Sequence, residues 1–174
     1  MGRDKADILI AGVTMLERVA AAMATAVDRV VLLGPDREGW ECWPDSVHAH
    51  GPLAGIATAL SRADTERVLI VAVDNAFVSP VTLRRLRTVE SDLPVVPVDV
   101  AGVRQVTCAV YPTSIAGAAC DEATAGGSIQ TLLDRVSFRA VAPDEWGSWE
   151  EDGRSWFSVD SASEIETGQA SFPA

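Results

Sequence analysis

The sequence predicts an α/β domain built on a mostly parallel sheet with helices on both faces. Three observations carry that expectation. Short, continuously apolar runs such as Val68–Val73 fit strands covered on both sides. Amphipathic helical patterns fall between those runs, and Gly, Pro, Asn and Asp punctuate the boundaries. At 174 residues the chain is expected to form a single domain, residues 1–174.

Taken in order, a charged N-terminal segment leads into Ile8-Leu9-Ile10. Thr14 with Glu17 three residues later makes a capping box, and Met15, Leu16, Val19, Met23 and Val27 follow at helical spacing. Arg29–Gly34 reads as a buried strand closed by Gly34-Pro35. Pro52–Leu60 and Ser79–Val89 read as helices that place proline in the first turn, where its missing N–H costs nothing. Between them Arg67–Val73 is a strand ending at Asp74-Asn75. Leu93–Val100 is a further strand, in which Pro97 favours an edge or a bulge. Gln105–Tyr111 and the weaker Ser137–Val141 complete the strands. Ser114–Cys120, Ser128–Val136 and Ala162–Thr167 are shorter helices. Residues 143–156, acidic and carrying tryptophans, read as a solvated connection, and 167–174 as a frayed tail. The apolar strand that usually opens an α/β domain does not precede the first helix.

Fourteen basic against twenty-five acidic residues give a net charge of −11, which repels phosphate backbones and excludes sequence-independent nucleic-acid binding. A single anionic nucleotide is compatible with that field if a cation or one local positive group neutralises it. The three cysteines, Cys42, Cys108 and Cys120, are far apart and form no CxxC pair, so they read as core fillers and not as a disulfide framework or a zinc site. No run reaches the ~18 apolar residues of a membrane span, and Ile8–Val13 is too short for a signal-peptide core. The expectation is a cytoplasmic protein with no membrane and no nucleic-acid partner.

Ligands of open α/β sheets bind beyond the carboxyl ends of the strands. Asp74 stands at such an end and suits a hard cation shared with phosphate oxygens, or else makes an Asx-turn or a helix cap near Ser79. Asp45 can accept hydrogen bonds from a base edge or simply face solvent. Gly51 permits close backbone approach at a helix start that offers free N–H groups to an anion. Lys5, with Arg3 beside it, is a compact positive charge suited to phosphate. His48 and His50 form a weak candidate metal pair with no third ligand. No nucleophile–base pair stands out.

Together these segments resemble the molybdenum cofactor guanylyltransferases. GRDKADILIAGVTMLERV is similar to the family's RMG.DKA stretch and LLERV helix, GPLAGIATAL to its GPLAGI helix start, and VAVDNAFVSP to CD.PF(V)SP. GVRQVTCAVY is similar to GR.QPLCALY, and SWFSVDSASEI takes the place of FFNINTPEDL, so the resemblance runs from Gly2 to about Ile165 in family order. It implies a nucleotide-diphospho-sugar-transferase-like (Rossmann-like) domain. The implied activity is transfer of GMP from GTP to molybdenum-bound molybdopterin with release of pyrophosphate, using Mg²⁺. Lys5 matches the nucleotide-phosphate lysine, Asp45 the acidic residue near the guanine nucleotide, Gly51 the glycine of the loop facing it, and Asp74 the Mg²⁺-binding aspartate. Recipient molybdenum enzymes or insertion proteins are the implied partners. Cytidylyl transfer to the same cofactor, or a non-catalytic nucleotide- or pterin-binding role, are the alternatives.

The sequence departs from the family in three places. Its first strand and glycine-rich LAGG loop are absent, CD.PF has become Val73-Asp74-Asn75-Ala76-Phe77, and Ser158, Asp160 and Ala162 replace two asparagines and a proline. A central strand carries about four buried aliphatic side chains worth roughly 1.5–3 kcal/mol each, comparable in sum with the stability of a whole domain. The expectation is therefore that Met1 is internal to a longer natural product that encodes a LAGG-like stretch upstream. The rival expectation is that Ile8-Leu9-Ile10 is drawn into the sheet in its place.

Overall fold

Local chemistry starts the elements where the spacing predicts. In the computed structural model, which describes residues 4–45 and 51–173, Thr14 Oγ1 accepts from the Glu17 N–H (3.1 Å) and Glu17 Oε2 accepts from the Thr14 N–H (3.0 Å). This closed capping box opens α1 (Met15–Ala24). Pro52 opens α2 (Pro52–Arg62) and Pro80 opens α3 (Pro80–Thr88), the latter capped by the Ser79 side chain. Helices α4 (Ala116–Thr124), α5 (Ile129–Arg135), α6 (Pro143–Trp146) and α7 (Ala162–Ser171) follow.

The strands are β1 (Leu9–Ile10), β2 (Val13–Thr14), β3 (Leu32–Leu33), β4 (Cys42–Trp43), β5 (Arg67–Val71), β6 (Val95–Pro97), β7 (Cys108–Pro112) and β8 (Arg139–Val141). The main sheet has the order β5-β7-β6-β8, with β7 antiparallel to both neighbours and β6 parallel to β8. Strands β5, β6 and β8 thus point one way, as the α/β expectation requires. The reversal of β7 follows from its connection: residues 98–107 turn back through the Val98–Arg104 bridge without a helix, and a helix-free return of that length makes an antiparallel pair.

Side chains alternate across the sheet. Ile70, Val96, Ala109 and Tyr111 meet α2, α4 and α5 on one face, whereas Leu69, Val95, Cys108, Val110 and Val141 meet α1, α3 and α6 on the other. A third, smaller cluster of Ile10, Met15, Ala76, Phe77 and Val159 joins the two chain ends to the loop after β5. Among the described residues no helix is long and apolar enough to cross a membrane. The three cysteines are free, and burial pushes the Cys108 thiol up to about 12.

Four expectations are corrected. The run Arg29–Gly34 contributes only β3, which pairs with β4 and not with the main sheet, so Val30 to Leu33 are only partly covered. Ile8-Leu9-Ile10 does not enter the sheet: β1 pairs with β2 in a short hairpin. Pro97 is not on an edge strand, and the register between β6 and the chain leading into β7 is interrupted at it, passing from Val95–Val110 to the Val98–Arg104 bridge. Strand β6 lies inside the sheet, and its pairing with β7 is confined to Val95–Val110, so the missing N–H of Pro97 falls beyond that ladder. Residues 143–156 are not a solvated connection, because Trp146, Trp149, Glu151 and Ser155 are buried and Trp146 Nε1 donates to Val98 O (2.8 Å). The acidic composition misled because its carboxylates divide: Asp152 and Glu145 pair with arginines, and Glu151 turns inward.

The segment 167–174 is ordered as far as it is described. Helix α7 runs to Ser171, and the Phe172 ring packs on Phe77 (5.8 Å between centroids) and Phe157 (5.5 Å). Phe172→Ala should therefore cost about 1–3 kcal/mol, less than a fully buried phenylalanine because Phe172 is only half-buried. Urea unfolding at an unchanged m-value would show this as a lower midpoint; an unchanged midpoint would mean that the ring contacts contribute nothing.

Candidate functional site

Three charged side chains from distant parts of the sequence meet beyond the carboxyl end of β5. Lys5 lies in a short 3₁₀ turn, Lys5–Asp7, whose first N–H groups are capped by the Asp4 carboxylate, accepting from Ala6 N (3.0 Å). Asp74 lies in the loop that joins β5 to α3. Asp160, which the sequence marks only as a departure from the family's asparagine, precedes α7. Lys5 Nζ donates to Asp160 Oδ1 and stands 3.8 Å from Asp74 Oδ2.

The backbone makes this meeting obligatory. Val159 N donates to Asp74 O (2.9 Å), which lays the segment before α7 along the Asp74 loop. Val159 is buried in the third apolar cluster with Ile10, Met15 and Phe77, so that cluster forms the floor beneath the three charges. On the other flank, Asn75 Nδ2 donates to Ser155 O (3.0 Å), and Ser79 N donates to Ser155 Oγ (3.0 Å). Ser155 is fixed in turn by Glu151, whose buried carboxyl accepts from Gly153 N, Ser155 N, Ser155 Oγ and Thr82 Oγ1. Asn75 Oδ1 is buried without a partner among the described residues, a cost of order 1–3 kcal/mol carried by the loop that presents Asp74.

The Lys5 contact, reinforced by the Ser158 hydroxyl, holds the Asp160 carboxyl below its ordinary range. The Asp160 contact, with Asp74 adding to it, raises the Lys5 amine. The pair is therefore charged throughout the neutral range. Both side chains remain substantially open to solvent, so the contact is exchangeable: an incoming anion can take the lysine, and an incoming cation the carboxylates.

The other sequence candidates divide. Asp74 does not cap α3, since Ser79 does. Gly51 adopts φ 95°, a backbone that other residues rarely take, and stands at the N-cap of α2, where among the described residues no side chain caps the helix start. Asp45 is exposed beside the first turn of α2, its Oδ1 3.7 Å from where a Cβ on Gly55 would stand. Among the described residues no hydrogen bond or ion pair joins Asp45 or Gly51 to the Lys5 cluster. Arg3, His48 and His50 lie outside the described residues. Asp160 carried one available signal: it stands at an asparagine position of the FFNINTPEDL motif.

The cluster places one lysine amine between two carboxylates at the open end of an α/β sheet. The chain belongs to the MobA-like NTP transferase domain family, which its residues 1–140 match. Over 77 residues it is 40% identical to a Deinococcus radiodurans protein whose name is probable molybdenum cofactor guanylyltransferase, an alignment covering 42% of this chain and 40% of that one. A Natronomonas pharaonis protein of the same name is 29% identical over 180 residues, covering 94% of this chain and 87% of the relative. The first of these relatives is thus matched over well under half its length. The fold superposes on that of molybdopterin-guanine dinucleotide biosynthesis protein A of Archaeoglobus fulgidus with a TM-score of 0.82 at 19% identity, covering 97% of this chain and 90% of that one.

Two outcomes follow for the charge cluster and its support. The contribution of Asp160 to stability is present above its ordinary value of 3.8 and fades as pH falls below it; that of Lys5 is present below 10.5 and fades as pH climbs past it. In an NMR titration the Asp160 carboxyl should titrate below 3.8 and move upward in Lys5→Met; an unmoved midpoint would mean that the pair does not persist in solution. Glu151→Ala should cost about 2–4 kcal/mol by stranding buried donors, and Glu151→Gln less, because the facing hydroxyls can rotate to accept. Equal unfolding midpoints for the two variants would remove the anchoring role.

Proposed function

We propose that this domain transfers GMP from GTP to molybdenum-bound molybdopterin and releases pyrophosphate. The observation that carries the reading is the convergence of Lys5, Asp74 and Asp160 at the mouth of β5, in a chain of the MobA-like family. Asp74 and Asp160 fit Mg²⁺: two carboxylates without a third acidic, histidine or cysteine ligand among the described residues match a hard cation that completes its shell with water and phosphate oxygens. Bound there, Mg²⁺ would neutralise charge on the nucleotide phosphates.

The remaining work falls to the chain's own side chains. Lys5 leaves Asp160 for the nucleotide phosphates and offsets the negative charge that develops as the bond to pyrophosphate breaks. The attacking group is the terminal phosphate of the pterin, so in-line displacement at the α-phosphorus needs positioning and neutralisation, and no protein nucleophile. Gly51 and the α2 N-terminus receive the nucleotide, and the Asp45 carboxylate accepts from the guanine edge. The net charge of −11 makes the local cation obligatory for an anionic substrate to approach.

Transfer from radiolabelled GTP and CTP to molybdenum-loaded molybdopterin tests the reading. Label should pass from GTP, with pyrophosphate release dependent on Mg²⁺. Preference for CTP would change the base assignment, and nucleotide binding without pyrophosphate release would make the chain a binding partner. Asp74→Asn should lower transfer by at least about 100-fold with little change in thermal stability; unchanged transfer would remove the metal assignment.

A further inference from the structure

The lysine of the charge cluster sits between two acids of its own turn. In the run Asp4-Lys5-Ala6-Asp7, Asp4 caps the 3₁₀ turn and Asp7 ends it. At three residues per turn, positions three apart stand one above the other, so the two carboxylates share one side of the turn. Acids one and two residues away are local competitors for the Lys5 amine, since no tertiary contact is needed to bring them near it. Neither holds it. Among the described residues Lys5 pairs with Asp160 and Asp74, and it is Asp160 first, then Asp74 and Glu164, that raise its amine.

Arg37 accounts for this. Its Nη1 donates to Asp7 Oδ1 (2.5 Å) and its Nη2 to Asp4 Oδ2 (2.6 Å), so one planar guanidinium spans both acids. The other oxygen of Asp4 accepts from Ala6 N (3.0 Å), so both of its oxygens are engaged. The arginine is itself held at its base. In the connection between β3 and β4 its N–H donates to Cys42 Sγ (3.3 Å), and its carbonyl accepts from Trp40 N (3.1 Å). Cys42 opens β4, which leads within three residues to Asp45. Each of the two ion pairs is a surface contact of small worth alone. They share one rigid group, so forming the first sets the geometry of the second.

We propose that Arg37 is the positioning residue for Lys5: by bridging Asp4 and Asp7 it closes the turn and removes both acids as competitors, which leaves the amine to Asp160 and Asp74. The consequence for catalysis rests on the nucleotide-transfer reading: Arg37 keeps Lys5 available to the nucleotide phosphates and ties it to the connection that runs toward Asp45. The positioning itself is tested without nucleotide.

The test compares the whole chain with Arg37→Met and Arg37→Lys by NMR. In Arg37→Met the amides of Asp7 and Ile8, which donate to Asp4 O and Lys5 O, should exchange at least about threefold faster while those of β5 and β7 keep their rates. The nuclear Overhauser contact between the Lys5 ε-methylene and the Asp160 β-methylene should weaken. Arg37→Lys, which keeps the charge but lacks the fork, should fall between the two. Calorimetric titration with Mg²⁺ and GTP then closes a cycle. Arg37→Met should weaken binding about three- to tenfold in the native chain and no further in Lys5→Met. An unchanged Lys5–Asp160 contact in Arg37→Met would overturn the proposal, and so would an equal loss of affinity with and without Lys5. If Arg37→Met does not fold, Arg37→Lys decides by the same two NMR signals. A native chain that binds no GTP would remove the nucleotide reading, and the Lys5–Asp160 contact would still decide the role of Arg37.

Discussion

The carboxyl group of Glu151 is the anchor from which the candidate site is hung. It gathers two backbone N–H groups and two hydroxyls in a buried space, where each hydrogen bond is stronger than at the surface and each unmet donor costs more. Thr82 ties it to the first turn of α3; Ser155 ties it to Ser79 and Asn75, and so to the loop that presents Asp74. The chain then runs on through Phe157 and Val159, whose N–H pins the carbonyl of Asp74 itself. One inward-facing acid thus sets the geometry of two outward-facing ones.

How much of this was legible in the sequence depended on whether the signal was local. The capping box at Thr14, the proline starts of α2 and α3 and the apolar core of β5 are decided within a few residues, and each lies where its residues indicate. Strand β3 is shorter than its apolar run indicates, because such a run records that burial is wanted, not that a partner strand lies on each side. The segment 143–156 was misjudged for the converse reason: composition averages over Glu151 and Asp152, adjacent acids that face opposite ways. Lys5 and Asp74 could be named singly from residue type and position. Their meeting with Asp160 could not, because nothing local joins residues 5, 74 and 160; only the packing of Val159 on Ile10 and Phe77 brings them together.

At its carboxyl end β5 delivers Asp74 to the charge cluster with Lys5 and Asp160. On the well-packed side, β7 and the two apolar layers hold β5 through a full ladder with alternating faces. Helix α2, whose N-cap is Gly51, packs on both β5 and β3. Asp74 and Gly51 therefore both extend from elements buried in the same apolar cluster, β5 through Ile70 and α2 through Leu53, Ile56 and Leu60.

Lys5 is also the sole lysine among the 174 residues, the rest of the fourteen lysines and arginines being arginine. Arginine does not react under the mild conditions that alkylate or acylate amines, so amine chemistry applied to this protein reaches one side chain besides the chain terminus. A label such as a ¹³C-methyl group would then report from the junction of the two carboxylates without any cysteine being introduced. Its rate of attachment would itself be informative, since the contact with Asp160 withholds the neutral amine and a ligand that breaks that contact would change it.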